Sequence, residues 1–293
     1  MPLLDDPRPL VMCTATLLRD PLGGCTREDF EETIDAAAAS GCGGVSLWAH
    51  TALTGGLGYS AAELVSLHRD RGLAIEVVEI AMDWAEGDRD VILREAEPLL
   101  ELAVAAGAKH LMAVTLQPDL PADACNGLAI LCDAAAECGV KVGVEFLPWT
   151  GIADLPSAWR LVQECGRDNA GIVVDSWHWM RQPGGPDETA LRAVPAERIH
   201  ILQLNDAPGA ASGSLVEETI THRLPPGEGE IDLVGLLRPL AERGADPLVA
   251  PEVFNTRLAA DGAGPMARHV VAATRAVLAA ARLPQGNAAG TRA

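Results

Sequence analysis

Gly139-Val140-Lys141-Val142-Gly143-Val144-Glu145 sets a glycine, a short apolar run and a carboxylate in order, and this order decides the fold. Glycine just past a helix end takes the left-handed conformation with no Cβ penalty. The apolar run after it suits a strand buried on both faces, as parallel sheets require. The same unit recurs at Gly41 before Val45-Ser46-Leu47-Trp48, Gly72 before Ala74-Ile75-Glu76-Val77-Val78, Gly107 before His110-Leu111-Met112-Ala113-Val114, Gly166 before Ile172-Val173-Val174, and Gly244 before Leu248-Val249-Ala250. Val11 and Ile201 add two more strand centres, giving eight, spaced by 29 to 36 residues with 48 before the last. Eight such repeats predict an α/β protein, a single (β/α)8 TIM barrel over residues 1–283, with its chemistry at the strand C-termini. Residues 284–293 read as a disordered tail.

Helix starts are marked at Thr26, with Asp29 three residues on, and at Ser60, with Glu63 completing a capping box. A third helix, Asp90 to Ala106, carries Pro98, which should kink or split it. Further helices are expected after Pro121, after Asp154 with Pro156 in the first turn, over Glu188 to Val194, from Asp232, and from Pro265 to Arg282.

The 293 residues fit one barrel domain, and no linker interrupts them. The first residues lack the basic and apolar segments of a signal peptide, and no apolar stretch is long enough to span a bilayer, so a cytoplasmic protein is expected. Seven cysteines without a C-x-x-C pair fit reduced thiols. With 41 acidic against 22 basic residues, a net charge of −19 and only two lysines, a nucleic-acid partner is excluded.

The polar residues at the predicted strand ends form a short list: Glu145 after strand five, Asp175 and His178 after strand six, Gln203 and Asp206 after strand seven, and Glu252 after strand eight. Glu145 and Glu252 directly follow apolar strand residues, where an unpaired carboxylate is costly to bury. A divalent cation would compensate them. His178 follows Asp175 by three residues, between Trp177 and Trp179.

The segments Val144-Glu145, Val174-Asp175-Ser176-Trp177-His178, His200-Ile201-Leu202-Gln203-Leu204-Asn205-Asp206, Arg223-Leu224-Pro225-Pro226-Gly227-Glu228-Gly229 and Pro251-Glu252 resemble the successive signatures of the sugar phosphate isomerase/epimerase family, the xylose-isomerase-like barrels. That family includes ketose 3-epimerases, inosose dehydratases, 3-dehydroshikimate dehydratases and hydroxypyruvate isomerases. The resemblance implies a divalent metal on Glu145, Asp175, Gln203 and Glu252, a substrate contact from His178, and a second from Arg223 in the loop after strand seven. Gln203 stands where the family usually has histidine. An all-oxygen shell favours Mg²⁺ or Mn²⁺ over Zn²⁺. The loop from Gly209 to Ser214 reads as a lid.

Of ten aromatic residues, eight fall at or just beyond the predicted strand C-termini: Trp48, Tyr59, Trp84, Phe146, Trp149, Trp177, Trp179 and Phe254. That bias suggests a substrate with an apolar face, touched by Trp48, Trp84 and Trp177 together with Arg223 and Asp206. With lysine missing from the rim, a free sugar, a cyclitol or another hydroxylated ring fits better than a sugar phosphate. The expected activity is isomerisation or epimerisation, with Glu145 and Glu252 as base and acid beside a metal-polarised carbonyl and His178 in attendance. A lyase or dehydratase using the same enolate chemistry is the alternative. A non-catalytic subunit with a decayed metal site is a third reading. Neither a nucleic acid nor a membrane is an expected partner, and a homo-oligomer stays open.

Overall fold

The computed structural model describes residues 3–5, 8–20, 24–54, 56–211 and 213–282, so the tail expected at 284–293 lies outside the described residues. Eight parallel strands follow one another around the sheet in chain order: β1 (Val11–Cys13), β2 (Gly44–Trp48), β3 (Ala74–Ala81), β4 (His110–Ala113), β5 (Lys141–Glu145), β6 (Ala170–Asp175), β7 (Ile199–Leu204) and β8 (Leu248–Pro251). The Val253 amide just past β8 donates to Thr16 Oγ1 just past β1 at 3.0 Å, which brings the two ends together into a nearly closed TIM barrel. All six glycines of the repeat, Gly41, Gly72, Gly107, Gly139, Gly166 and Gly244, have φ between 66° and 83°.

The helices are α1 (Arg27–Ala39), α2 (Ala61–Arg69), α3 (Arg89–Ala106), α4 (Ala124–Glu137), α5 (Leu155–Cys165), α6 (Ser176–Arg181), α7 (Glu188–Ala193), α8 (Leu215–Thr221), α9 (Leu233–Glu242), α10 (Thr256–Ala259) and α11 (Ala263–Arg282). Thr26 and Ser60 close capping boxes with Asp29 and Glu63, and Asp154 caps α5. Pro98 does not split its helix. α3 runs unbroken from Arg89 to Ala106, because Leu99, Leu100, Leu102 and Ala103 are buried on one side and outweigh the lost backbone bond.

Two apolar layers hold the barrel. Val11, Val77, Met112, Val173, Ile201 and Ala250 form one cluster; a much larger one joins the other faces of the strands to the helices. At the N-terminal end of the strands the rings of His110 and His200 lie 5.8 Å apart. A Cβ on Gly171 would come within 2.4 Å of the His200 ring, so only glycine admits that ring here. Among the described residues no helix is long and apolar enough to cross a membrane.

Candidate functional site

Strand register brings the polar residues together. Asp175 on β6 lies opposite Gln203 on β7, and Gln203 opposite Ala250 on β8, which puts Glu252 just above. On the other side Cys13 pairs with Ser46, and Trp48 with Glu79.

Asp175 closes its strand and caps the next helix. Its Oδ1 accepts the Trp177 and His178 amides at 2.8 and 2.9 Å, and its Oδ2 accepts Asn205 Nδ2 at 2.7 Å and Arg223 Nη1 at 2.9 Å. The helix turns His178 back over the mouth, against Trp149 and Trp177. This six-residue helix is too short to show a helical period in the sequence, and the Asp175 cap is the available signal.

Arg223 is 2% exposed and sits among the carboxylates. Its Nη1 donates to Asp175 Oδ2 and to Glu252 Oε2 at 2.8 Å, its Nη2 to Thr219 Oγ1 at 2.7 Å and to His178 Nε2 at 3.2 Å. An arginine only donates, so His178 Nε2 accepts and the ring proton belongs on Nδ1. That Nδ1 is buried without a partner. Burial holds His178 down to about 3, against the pull of Asp175, so the ring is neutral.

Glu252 is fully engaged. Gln203 Nε2 donates to its Oε1 at 2.9 Å, Cys13 Sγ approaches the same oxygen at 3.3 Å, and Arg223 takes Oε2. Glu145 is different. Its Oε1 lies 3.4 Å from His178 Nε2 and has no hydrogen-bond donor, and Gln203 Oε1 likewise has no donor. Burial, then the charges of Glu252 and Asp175, push the Glu145 carboxyl well above the ordinary range, with Arg223 opposing. Burial also raises Glu252. Donor atoms of Glu145, Asp175 and His178 lie within 4.8 Å of one another, as do those of Cys13, Glu79 and Glu252.

Other expected residues sit elsewhere. Asp206 accepts the backbone amides of Ala207, Gly227 and Ile231 at 2.8 to 2.9 Å, so both its oxygens organise the loop. Trp84 is fully buried with Nε1 on the Val114 carbonyl and fills the turn against α4, where a Cβ on Gly127 would meet the Trp84 carbonyl. Trp177 is also fully buried, and its Nε1 donates to Glu218 Oε1 at 3.0 Å; it backs His178 and Arg223 rather than opening to the mouth. Tyr59 packs on Phe30 under Arg27, and Phe146 lies in the core. Of the eight aromatics, the half-buried Trp48, Trp149 and Phe254 remain available, with Trp48 stacked on Phe254 at 6.0 Å. Within the expected lid, Ser214 caps α8, whose Glu218 and Thr219 grip Arg181 and Arg223; Ser212 lies outside the described residues.

Sequence reasoning missed Glu79. It is 1% exposed, its carboxylate accepts the Ser46 hydroxyl, and burial, then Glu252, push it up to about 8. Its signal was the apolar run that continues past it through Ile80-Ala81.

Residues 34–277 match the profile of the xylose isomerase-like TIM barrel family. The 3-dehydroshikimate dehydratase of Pseudomonas putida is 28% identical over 232 residues, which cover 76% of this chain and 36% of that protein. The chain therefore spans about a third of the length of that relative. The inosose isomerase of Bacillus velezensis is 28% identical over 202 residues, covering 66% of this chain and 70% of that one. A solved structure of an IolI protein with a bound zinc atom superposes with a TM-score of 0.79 at 21% identity, over 93% of this chain and 99% of that one.

Proposed function

The chain belongs to the xylose isomerase-like TIM barrel family, and we propose that its mouth holds a divalent cation and moves a proton on the carbon next to the carbonyl of a keto-cyclitol, keto-sugar or related hydroxylated ring. The observation that carries this is the pair of buried acceptors without donors, Glu145 Oε1 and Gln203 Oε1, beside the carboxylates of Asp175 and Glu252. Buried oxygens of this kind demand a cation or a proton. Glu145, Asp175, Gln203 and Glu252 would hold the ion, and four oxygen donors suit Mg²⁺ or Mn²⁺ better than Zn²⁺. When bound, the ion polarises the substrate carbonyl and acidifies the adjacent C–H.

The chain's own groups supply the rest. Glu145 and the neutral His178 are titratable groups of the mouth that each keep a buried atom without a partner, and they lie together on the β5–β6 side. Glu145 is the base, and His178 orients or carries the proton. Glu252, expected as the partner acid, is held by Gln203, Cys13 and Arg223 and is the more constrained of the two glutamates. Glu145 as base suffices for isomerisation or elimination, whereas epimerisation needs a group on each face of the substrate. Elimination is the second reading, favoured by the similarity to 3-dehydroshikimate dehydratase. The Trp48–Phe254 stack and Trp149 would receive the apolar face of the ring.

The test is solvent exchange. With Mn²⁺-loaded protein in D₂O and a panel of inososes and ketoses, deuterium is expected at the carbon next to the carbonyl. Glu145→Gln should slow its entry by about a hundredfold or more, and EDTA should abolish it and lower the melting temperature. Turnover without solvent deuterium at that carbon would overturn the reading.

A further inference from the structure

The proposed reaction leaves one buried carboxyl unused. Glu79 lies on β3, two strands from Glu145 on β5, toward Ser46 of β2 and Cys13 of β1. Its Oε1 accepts the Ser46 hydroxyl, and its Oε2 has only the Cys13 thiol at 4.0 Å, a long contact. Among the described residues no cation pairs with it. The buried Arg223 faces Asp175 and Glu252 instead. Glu79 is nonetheless close to the reaction centre: oxygens of Glu79 and Glu252 and the Cys13 sulfur lie within 4.8 Å of one another. A buried carboxyl with one strong hydrogen bond and no counter-charge has acceptor capacity to fill.

We infer that Glu79 is a specificity-determining residue: it hydrogen-bonds a hydroxyl of an uncharged polyhydroxylated keto ring, at a ring carbon remote from the carbonyl. The inference rests on the reading of the mouth given under Proposed function. Glu145 and His178 would face the reacting carbon while Glu79, oriented by Ser46, reads the part of the same ring on the β1–β3 side. A ring lacking that hydroxyl leaves the carboxyl unsatisfied, and sites built around a buried hydrogen-bonding group discriminate strongly against such analogues.

The experiment measures binding to the Mn²⁺-loaded protein by calorimetry, using an inosose and its monodeoxy analogues as probes, with metal content and melting temperature determined for every variant. Glu79→Leu is expected to weaken inosose binding by about ten- to a hundredfold, with metal content unchanged. One monodeoxy-inosose should bind wild type and variant equally weakly, which a merely structural role would not produce. If Glu79→Leu does not fold, Ser46→Ala carries the same test, with a smaller loss focused on the same analogue. An equal loss on every analogue, no loss at all, a fall in metal content, or failure of wild type to bind any inosose would each overturn the inference. The deuterium test, run on ketoses as well, stands or falls separately.

Discussion

The two ends of the barrel bury polar groups in opposite ways. At the C-terminal mouth four carboxyls, Glu79, Glu145, Asp175 and Glu252, are buried with Arg223, which pairs with Asp175 and Glu252, while burial pushes Glu79 and Glu145 up toward the neutral form. At the N-terminal end, burial holds His110 down to about 4 and His200 down to about 3, and the two rings sit together uncharged, each with Nδ1 unpaired. Neutrality makes the lower end self-sufficient. At the upper end Glu145 Oε1 and Gln203 Oε1 are buried acceptors without donors among crowded carboxyls, which is where chemistry is expected.

The largest effect that could break this comparison comes from Arg223→Met. Removing one partner from a buried charge cluster costs about 3–5 kcal/mol. In EDTA the melting temperature should therefore fall sharply. With Mn²⁺ present much of the loss should return, since the ion neutralises the same carboxylates. An equal fall under both conditions would show that guanidinium and ion do not serve the same groups.

A smaller effect is expected from Gly171→Ala at the lower end. The new methyl would stand 2.4 Å from the His200 ring and 2.5 Å from the Arg198 carbonyl. Overpacking of this sort costs about 1–3 kcal/mol, and metal should rescue none of it. A Gly171→Ala protein that melts like wild type would mean the lower end is looser than its packing implies.

The smallest effect sharpens the neutrality argument. As pH falls below about 6.5, histidine in the unfolded chain takes up a proton, whereas folded His200 does not until about 3. The unfolded state then binds more protons, so this group's contribution to stability declines between those values. The raised carboxyls at the mouth act in the opposite direction, so the readout is a difference. The melting-temperature advantage of wild type over His200→Gln should shrink between pH 7 and pH 5. A constant advantage would indicate that His200 is charged in the folded protein.

The same asymmetry governs what could be read in advance. The strand repeat was legible because the helices before six of the strands end on a glycine that the left-handed cap requires, and every one of those glycines adopts it. Glu145, Asp175 and Glu252 were legible because a carboxylate directly after an apolar strand has no cheap place to go. Glu79 was not, since it lies inside its strand beside the half-buried Glu76, and one sequence does not separate a carboxylate facing the mouth from one facing the helices. Cys13 reads as a small apolar residue until Glu252 is placed beside it. The short helices α6 and α8 escaped because their six and seven residues hold fewer than two periods, although Asp175 and Ser214 cap them in the ordinary way. Trp84 was drawn to the mouth by its position after β3, but the turn it occupies needed filling.

Asp175 carries a consequence for how such a barrel can diverge. One of its oxygens starts a helix and the other meets Asn205 and Arg223. Asparagine could keep the cap but would surrender the charge, and glutamate would keep the charge but misplace the cap by a methylene. Neighbouring positions face no such double demand, as the glutamine at 203 illustrates. Substitution at Asp175 therefore disturbs the start of α6 and the buried charge cluster at once.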